Sequence, residues 1–296
     1  MKYYPNIIPV IGFSEPVSCW LHFIAAAFFL VAGVILVYRG RGNALRVTSL
    51  IIYSFFLVYL FSMSGVYHLL EPGRLPRTVL QRLDHAAIWT MIAATFIPLH
   101  IVLFRGFWRW GVLFIVWATA ITGLVLEVVF FESFPEWLSL LLYLSLGWVG
   151  VVSAWKFKRH YSNEGLKYLL LGGIVYSLGG VMEYLRWPYI IDGVIGPHEV
   201  FHVFVILGAF LHWRFVFGFA DVAIKVRPDF VVKVRPNSEY LVEAKGENIV
   251  FPASSKEEVY ENLKKQISRK YRDYTRPKSI RLTFVQEELI DQISWT

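Results

Sequence analysis

Cysteine and charge are scarce in this chain. Its 296 residues include one cysteine, Cys19, which excludes an internal disulfide and a thiolate-bound metal cluster. Charged residues make up only 17% of the sequence, against roughly a quarter in a soluble domain. A water-soluble globule of this length is therefore excluded. Ahead of the first apolar run there is no basic segment followed by a short apolar core and a small-residue cleavage site. No removable leader is expected, and the first span is expected to serve as its own insertion signal. Nucleic-acid binding has no motif behind it, and no polar lining demands a pore. What is abundant is apolar surface: 56% hydrophobic residues, with eleven Trp and twenty-four Phe. It comes in runs of membrane-spanning length rather than short amphipathic stripes.

Seven spans are predicted, at roughly 17–38, 48–69, 85–104, 108–128, 136–155, 166–186 and 197–220. The connections are short, so neighbouring helices must be antiparallel and adjacent, giving an up-and-down bundle. Trp20, Trp89, Trp108, Trp110, Trp137, Trp155 and Trp187 fall near span ends, where an aromatic belt is expected. After about Ile224 the character changes. The stretch from Arg227 to Gly246 alternates polar and apolar residues and reads as a hairpin, with a third strand near Asn248–Phe251. Ser255-Lys-Glu-Glu258 is a capping box, and Val259, Leu263, Ile267 and Tyr271 form one apolar helical stripe. Another strand is expected at Ser279–Val285 and a closing helix at Glu287–Trp295. The fold class is thus an all-α membrane protein: a seven-transmembrane helix bundle over 1–224 followed by a small soluble α+β domain over 225–296.

All eight histidines precede residue 213, so histidine chemistry belongs to the membrane half. Ionisable side chains cost roughly 2.5–3.5 kcal/mol to insert at a span centre and mark functional sites by default. In a seven-span bundle odd spans begin, and even spans end, on the amino-terminal side. His68 closes the second span, Asp84 opens the third, and His198 and His202 open the seventh, so all four are predicted at one level. The His198 and His202 pair, at i and i+4, shares a helix face and can chelate one ion. Ser64 lies one turn before His68 on the same face. Three neutral imidazoles plus water make an open tetrahedral zinc site that lowers the water pKa to roughly 7. Asp84 is then the nearest carboxylate to accept a proton from that water or to anchor it.

The residues that carry these features also carry a resemblance. Ser64-Gly-Val-Tyr-His68, Leu83-Asp84-His85-Ala-Ala-Ile and Pro197-His198-Glu-Val-Phe-His202 resemble the three signature blocks of the progestin and adipoQ receptor family, in its bacterial haemolysin III branch. Glu15 with His22 seven residues on, Ala94 to Pro98, and Gly172 to Gly179 support it, and the resemblance covers roughly residues 14–216. It implies a seven-helix bundle with zinc held at the positions of His68, His198 and His202, and with the Asp84 position reaching the zinc through water. Some members of that family have ceramidase-like amide hydrolase activity, others are hormone receptors, and bacterial ones were named for lysing red cells.

Two functions are therefore expected to compete. One is an integral-membrane zinc hydrolase in which an activated water attacks a lipid amide or ester, with Asp84 as base and Ser64 orienting the water or stabilising the oxyanion. The other is a receptor or sensor with structural zinc and a lipid ligand, its tail docking a cytoplasmic partner. Orientation has two conflicting warrants. Lys2, Arg74, Arg77, Arg82 and Arg186 stand on the amino-terminal side. Ten residues stand opposite: Arg39, Arg41, Arg46, Arg105, Arg109, Lys156, Lys158, Arg159, Lys167 and Arg214. This count places the tail in the cytoplasm, whereas the resembled receptors have their zinc side there.

The remaining groups have plainer readings. His22 and His212 read equally well as buried hydrogen-bonders between helices, His100 and His160 as interfacial or loop residues, and Tyr67, Trp89 and Tyr176 as packing. Glu183 with Arg186 reads as an ion pair, Glu127 as a solvated loop end, and Glu199 as at most a neighbour of the ligands. Lys264, Lys265, Arg269, Lys270 and Arg272 could touch anionic headgroups, but Glu257, Glu258 and Glu261 favour an ordinary solvated face.

Overall fold

The computed structural model describes residues 7–10, 12–104, 106–160, 165–221, 229–234, 240–244, 247–270 and 281–286. The chain divides into two compact units, Met1–Asp221 and Val222–Thr296. Among the described residues, seven helices of the first unit are long and apolar enough to cross a membrane. They are α1 (Pro16–Arg39), α2 (Ala44–Leu69), α3 (Leu75–Leu103), α4 (Phe107–Val129), the broken span α5 (Glu136–Trp148) with α6 (Gly150–His160), α7 (Leu166–Leu185) and α8 (Pro197–Phe219). This is a multi-pass membrane protein. Chain neighbours α1–α2, α2–α3, α3–α4 and α7–α8 pack together, α8 returns to α1, and α3 also touches α5 and α8. Such a ring places the starts of α1 and α8 beside the end of α2, as the levelling argument requires.

The third span begins earlier than expected. Asp84 does not open it: α3 starts at Leu75, with Pro76 in its first turn where a missing N–H costs nothing, and Asp84 lies well inside. Its 29 residues extend about 43 Å at roughly 1.5 Å each, more than the roughly 30 Å of hydrocarbon. This helix is the most enclosed. Trp89, Ala93, Ala94 and Ile97 pack with Val116 and Ala120 of α4 and Leu146 of α5. Ile24, Val31 and Phe114 stay exposed, as faces turned to lipid do. Trp20, Trp110, Trp137, Trp155 and Trp187 are exposed near span ends, but Trp89 is fully buried and belongs to the core rather than the belt.

Two other histidines are structural. His100, three residues before the end of α3, is fully buried, bonding the Trp108 carbonyl and, at 3.0 Å, Ser153 Oγ, so it ties α3 to α4 and α6. His212 donates to the Leu169 carbonyl at 3.1 Å. The side chain of His160 lies outside the described residues.

In the second unit, β1 (Asp229–Val234), β2 (Tyr240–Ala244), β3 (Glu247–Ala253) and β4 (Arg281–Gln286) form a sheet in the order β3-β2-β1-β4, with α9 (Lys256–Lys270) between β3 and β4. The β1–β2 and β2–β3 pairs are antiparallel, while β4 joins β1 in parallel, the connection that needs a crossover. Ser255 Oγ caps α9 by accepting the Glu258 N–H at 3.1 Å, and the Glu258 carboxylate accepts from the Ser254 N–H at 2.8 Å and from its hydroxyl. Those donors hold the Glu258 carboxyl below its ordinary value. Val259 and Leu263 are buried. The stripe's end at Tyr271 and the expected closing helix lie outside the described residues.

Candidate metal centre

Local chemistry fixes the start of α8. Pro197 occupies its first turn, and the Glu199 carboxylate accepts from the Gly196 N–H at 2.9 Å and from Ser18 Oγ of α1 at 2.8 Å. Glu199 is therefore a brace between two helices rather than a ligand neighbour. At the end of α2, Gly65 lets α1 approach: a Cβ there would lie 2.8 Å from the Phe23 ring. These contacts bring His22, His68, His198 and His202 together. The His68 ring centroid is 5.0 Å from that of His198 and 4.8 Å from that of His202. The His198 and His202 centroids are 4.2 Å apart, and His22 stands 4.1 Å from His202.

A buried carboxylate sets the tautomer of His68. Its Nδ1–H donates to Glu15, just ahead of α1, and Glu15 is also paired with the buried guanidinium of Arg77. Arg77 in turn donates to the Leu70 carbonyl and covers the Tyr67 ring at 4.6 Å. With Nδ1 committed, Nε2 of a neutral His68 keeps its lone pair for an ion, as carboxylate-oriented metal ligands do. That Nε2 lies 3.4 Å from His198 Nε2. This is long for a good hydrogen bond, but matches the edge of a zinc tetrahedron, about 3.3–3.4 Å when Zn–N is roughly 2.0–2.1 Å.

Two overlapping groups of donors lie within 4.8 Å of one another: His22, His68 and His202, and Glu15, His68 and His198. The expected trio of His68, His198 and His202 is thus split between them, with His68 common to both. His198 Nδ1 faces Glu183 at 3.3 Å, which turns that ring toward α7. Buried nitrogens test the fit. Among the described residues, neither ring nitrogen of His22 has a hydrogen-bond partner, nor does His202 Nδ1. Orphaned buried polar groups ordinarily cost about 1–3 kcal/mol each, so a cluster of them with lone pairs to give fits a cation. The donor set, imidazole with a nearby carboxylate, suits zinc.

His22 and Glu15 were the members that span counting missed. Depth held the signal for His22: it is six residues past Pro16, and His202 is five past Pro197, so the two are level in spans that start on the same side and run parallel. Glu15 and His22, at i and i+7, share a face of α1.

Asp84 and Ser64 line one apolar cavity of about 300 Å³ together with His22, His198, His202 and Tyr176. Its remaining walls, from α2, α3, α5, α7 and α8, include Leu60, Ile88, Met91 and Leu144. An apolar pocket with a few polar groups on its wall is the usual form of a ligand site. Glu183 pairs with Arg186 at 2.6 Å, as read from the sequence, and Arg186 also meets Glu136 at 2.7 Å.

The model of the family described as haemolysin-III related matches residues 13–213. The chain belongs to this family. Similar proteins include hemolysin-3 of Bacillus cereus, 30% identical over 200 residues that cover 66% of this chain and 87% of the relative. Heptahelical transmembrane protein 1 of Arabidopsis thaliana is 27% identical, covering 70% of each chain. The adiponectin receptor protein of Drosophila melanogaster is 23% identical, covering 71% of this chain and 51% of the receptor. The matched residues of this haemolysin-III-related protein hold every imidazole of the cluster.

Proposed function

We propose that this protein is a membrane-embedded, zinc-dependent hydrolase of a lipid amide or ester, with zinc held by His68, His198 and His202. The observation that carries the reading is the approach of His68 Nε2 and His198 Nε2 to 3.4 Å beside His202, with His198 and His202 lining an apolar cavity that Asp84 also lines. Zinc, when bound there, lowers the pKa of water to roughly 7 and polarises a carbonyl. The rest falls to the protein. The cavity takes acyl chain, excluding bulk water and strengthening the polar contacts at its end. Asp84 accepts the proton of the attacking water, and the Ser64 hydroxyl donates to the developing oxyanion or holds the water in line. Glu15 fixes the His68 tautomer, and Glu183 faces His198 Nδ1 at 3.3 Å.

One observation favours a second reading, a receptor with structural zinc: the Drosophila relative is named as an adiponectin receptor. The two readings share the metal and part over turnover. Metal-replete protein in detergent should release fatty acid from at least one member of a panel of ceramides and acyl amides. Intact metal with no release from any of them would move the assignment to the receptor. By charge count the tail lies in the cytoplasm, where a receptor's partner would find it.

The division of the chain predicts a simpler result. Protein ended after Asp221 is expected to insert and to bind zinc like the full chain, because every bundle helix and imidazole precedes that point. Loss of metal from correctly inserted, truncated protein would show the boundary to be wrong.

A further inference from the structure

Glu127 corrects the sequence reading of a solvated loop end: it is 2% exposed, at the meeting of three helices. Four donors converge on its carboxylate. His85 Nδ1 and Ser139 Oγ reach Oε1, each at 3.0 Å, while Trp89 Nε1 and the Tyr143 hydroxyl reach Oε2 at 2.7 and 2.5 Å. His85 and Trp89 are i and i+4 on α3, and Ser139 and Tyr143 are i and i+4 on α5, so each helix presents one face to the carboxylate. Gly123, one turn before Glu127, leaves room for the indole, which a Cβ there would overlap. Few surface carboxylates are so fully supplied. A carboxylate that accepts from four donors is held in one geometry and holds its partners in theirs.

Of those four partners, Trp89 is fully buried in the core, whereas His85 lines the cavity next to Asp84, its side chain 17% exposed. Its Nδ1 is committed to Glu127, so Nε2 is the nitrogen left for a bound molecule. A carboxylate that orients an imidazole and stabilises its cation is the arrangement by which histidine moves protons in hydrolases. Amide hydrolysis needs such a group. A carboxylate base can take the proton of water, but an alkylamide anion is too poor a leaving group to depart unprotonated.

We propose that His85 is the general acid of the hydrolase reading, on which this inference rests, and that Glu127 is its positioning residue. As the C–O bond forms, one proton of water passes to Asp84. As the C–N bond breaks, its electron pair leaves with nitrogen, and the proton of His85 Nε2 is transferred to it. The products are the fatty acid and the amine, with Asp84 protonated and His85 neutral. Transfer of a proton from Asp84 back to His85 restores the site. No oxidant or further reactant is needed.

The test compares two substrates with one acyl chain: an N-alkyl amide, whose leaving group must be protonated, and a p-nitrophenyl ester, whose leaving group need not be. In zinc-loaded full-length protein, His85→Gln keeps an N–H for Glu127 but cannot act as an acid. The ratio of amide to ester kcat is expected to fall by roughly 10²–10⁴, with zinc content unchanged. Glu127→Gln is expected to lower the same ratio, by a smaller factor. Wild-type protein gives an independent reading: across a series of substituted acyl anilides, kcat should depend weakly on the basicity of the leaving amine. An unchanged ratio in His85→Gln, or a steep dependence in wild type, would overturn the assignment of His85 while leaving the hydrolase standing. Wild type inert toward both substrates would overturn the hydrolase and this inference together.

Discussion

Asp84→Asn protein is expected to keep its zinc and to lose amide hydrolysis by roughly 10²–10⁴, the usual worth of a general base. Asparagine has nearly the volume of aspartate, and the proposed ligands, His68, His198 and His202, are untouched by the change. What goes is the only property the mechanism asks of this position, a basic oxygen on the cavity wall. Ser64→Ala should cost less, one hydrogen bond or about 0.5–1.5 kcal/mol, since a hydroxyl that orients water can be replaced in part by water itself. Zinc content and kcat measured on the same preparations separate the roles. Equal rates in wild type and Asp84→Asn would remove Asp84 as the base. A variant that lost its zinc would instead make Asp84 an anchor of the metal.

His202→Ala should have the opposite signature, losing most of the metal. His202 stands at the hub of the cluster, within 4.1 to 4.8 Å, ring centre to ring centre, of His22, His198 and His68. With it gone, two proposed ligands remain, and two imidazoles seldom hold zinc tightly. The bundle should survive, because other contacts of α8 with α1 remain, among them Ser18 Oγ to Glu199 at 2.8 Å and Trp213 Nε1 to the Ala32 carbonyl at 3.2 Å. His22→Ala distinguishes the two overlapping donor groups. Retention of zinc is expected if His198 is the third ligand, and a loss like that of His202→Ala would show that His22 takes its place.

The spans were legible because each is a continuous apolar run, and antiparallel counting then placed His68, His198 and His202 without further information. The start of α3 was not legible. Between Leu75 and Leu83 the residues Arg77, Gln81 and Arg82 break the apolar run, so hydropathy ends the span there although the helix continues. Glu127 was misread for a related reason. Its neighbours in the sequence, Glu132 and Glu136, imply an acidic loop, while the donors that bury it, Trp89 and Tyr143, sit on other helices. His22 needed a depth argument as well as a topological one. In the second unit, alternation revealed the strands and the capping serine revealed α9, but the parallel pairing of β4 with β1 is a tertiary choice that no local pattern encodes.

The central claim is the metal, and elemental analysis of purified, metal-unsupplemented protein tests it most directly. About one zinc per wild-type chain is expected, and almost none in a His68→Ala/His202→Ala double mutant that still elutes as folded protein. Folded wild type without metal, or stoichiometric zinc surviving in the double mutant, would contradict it.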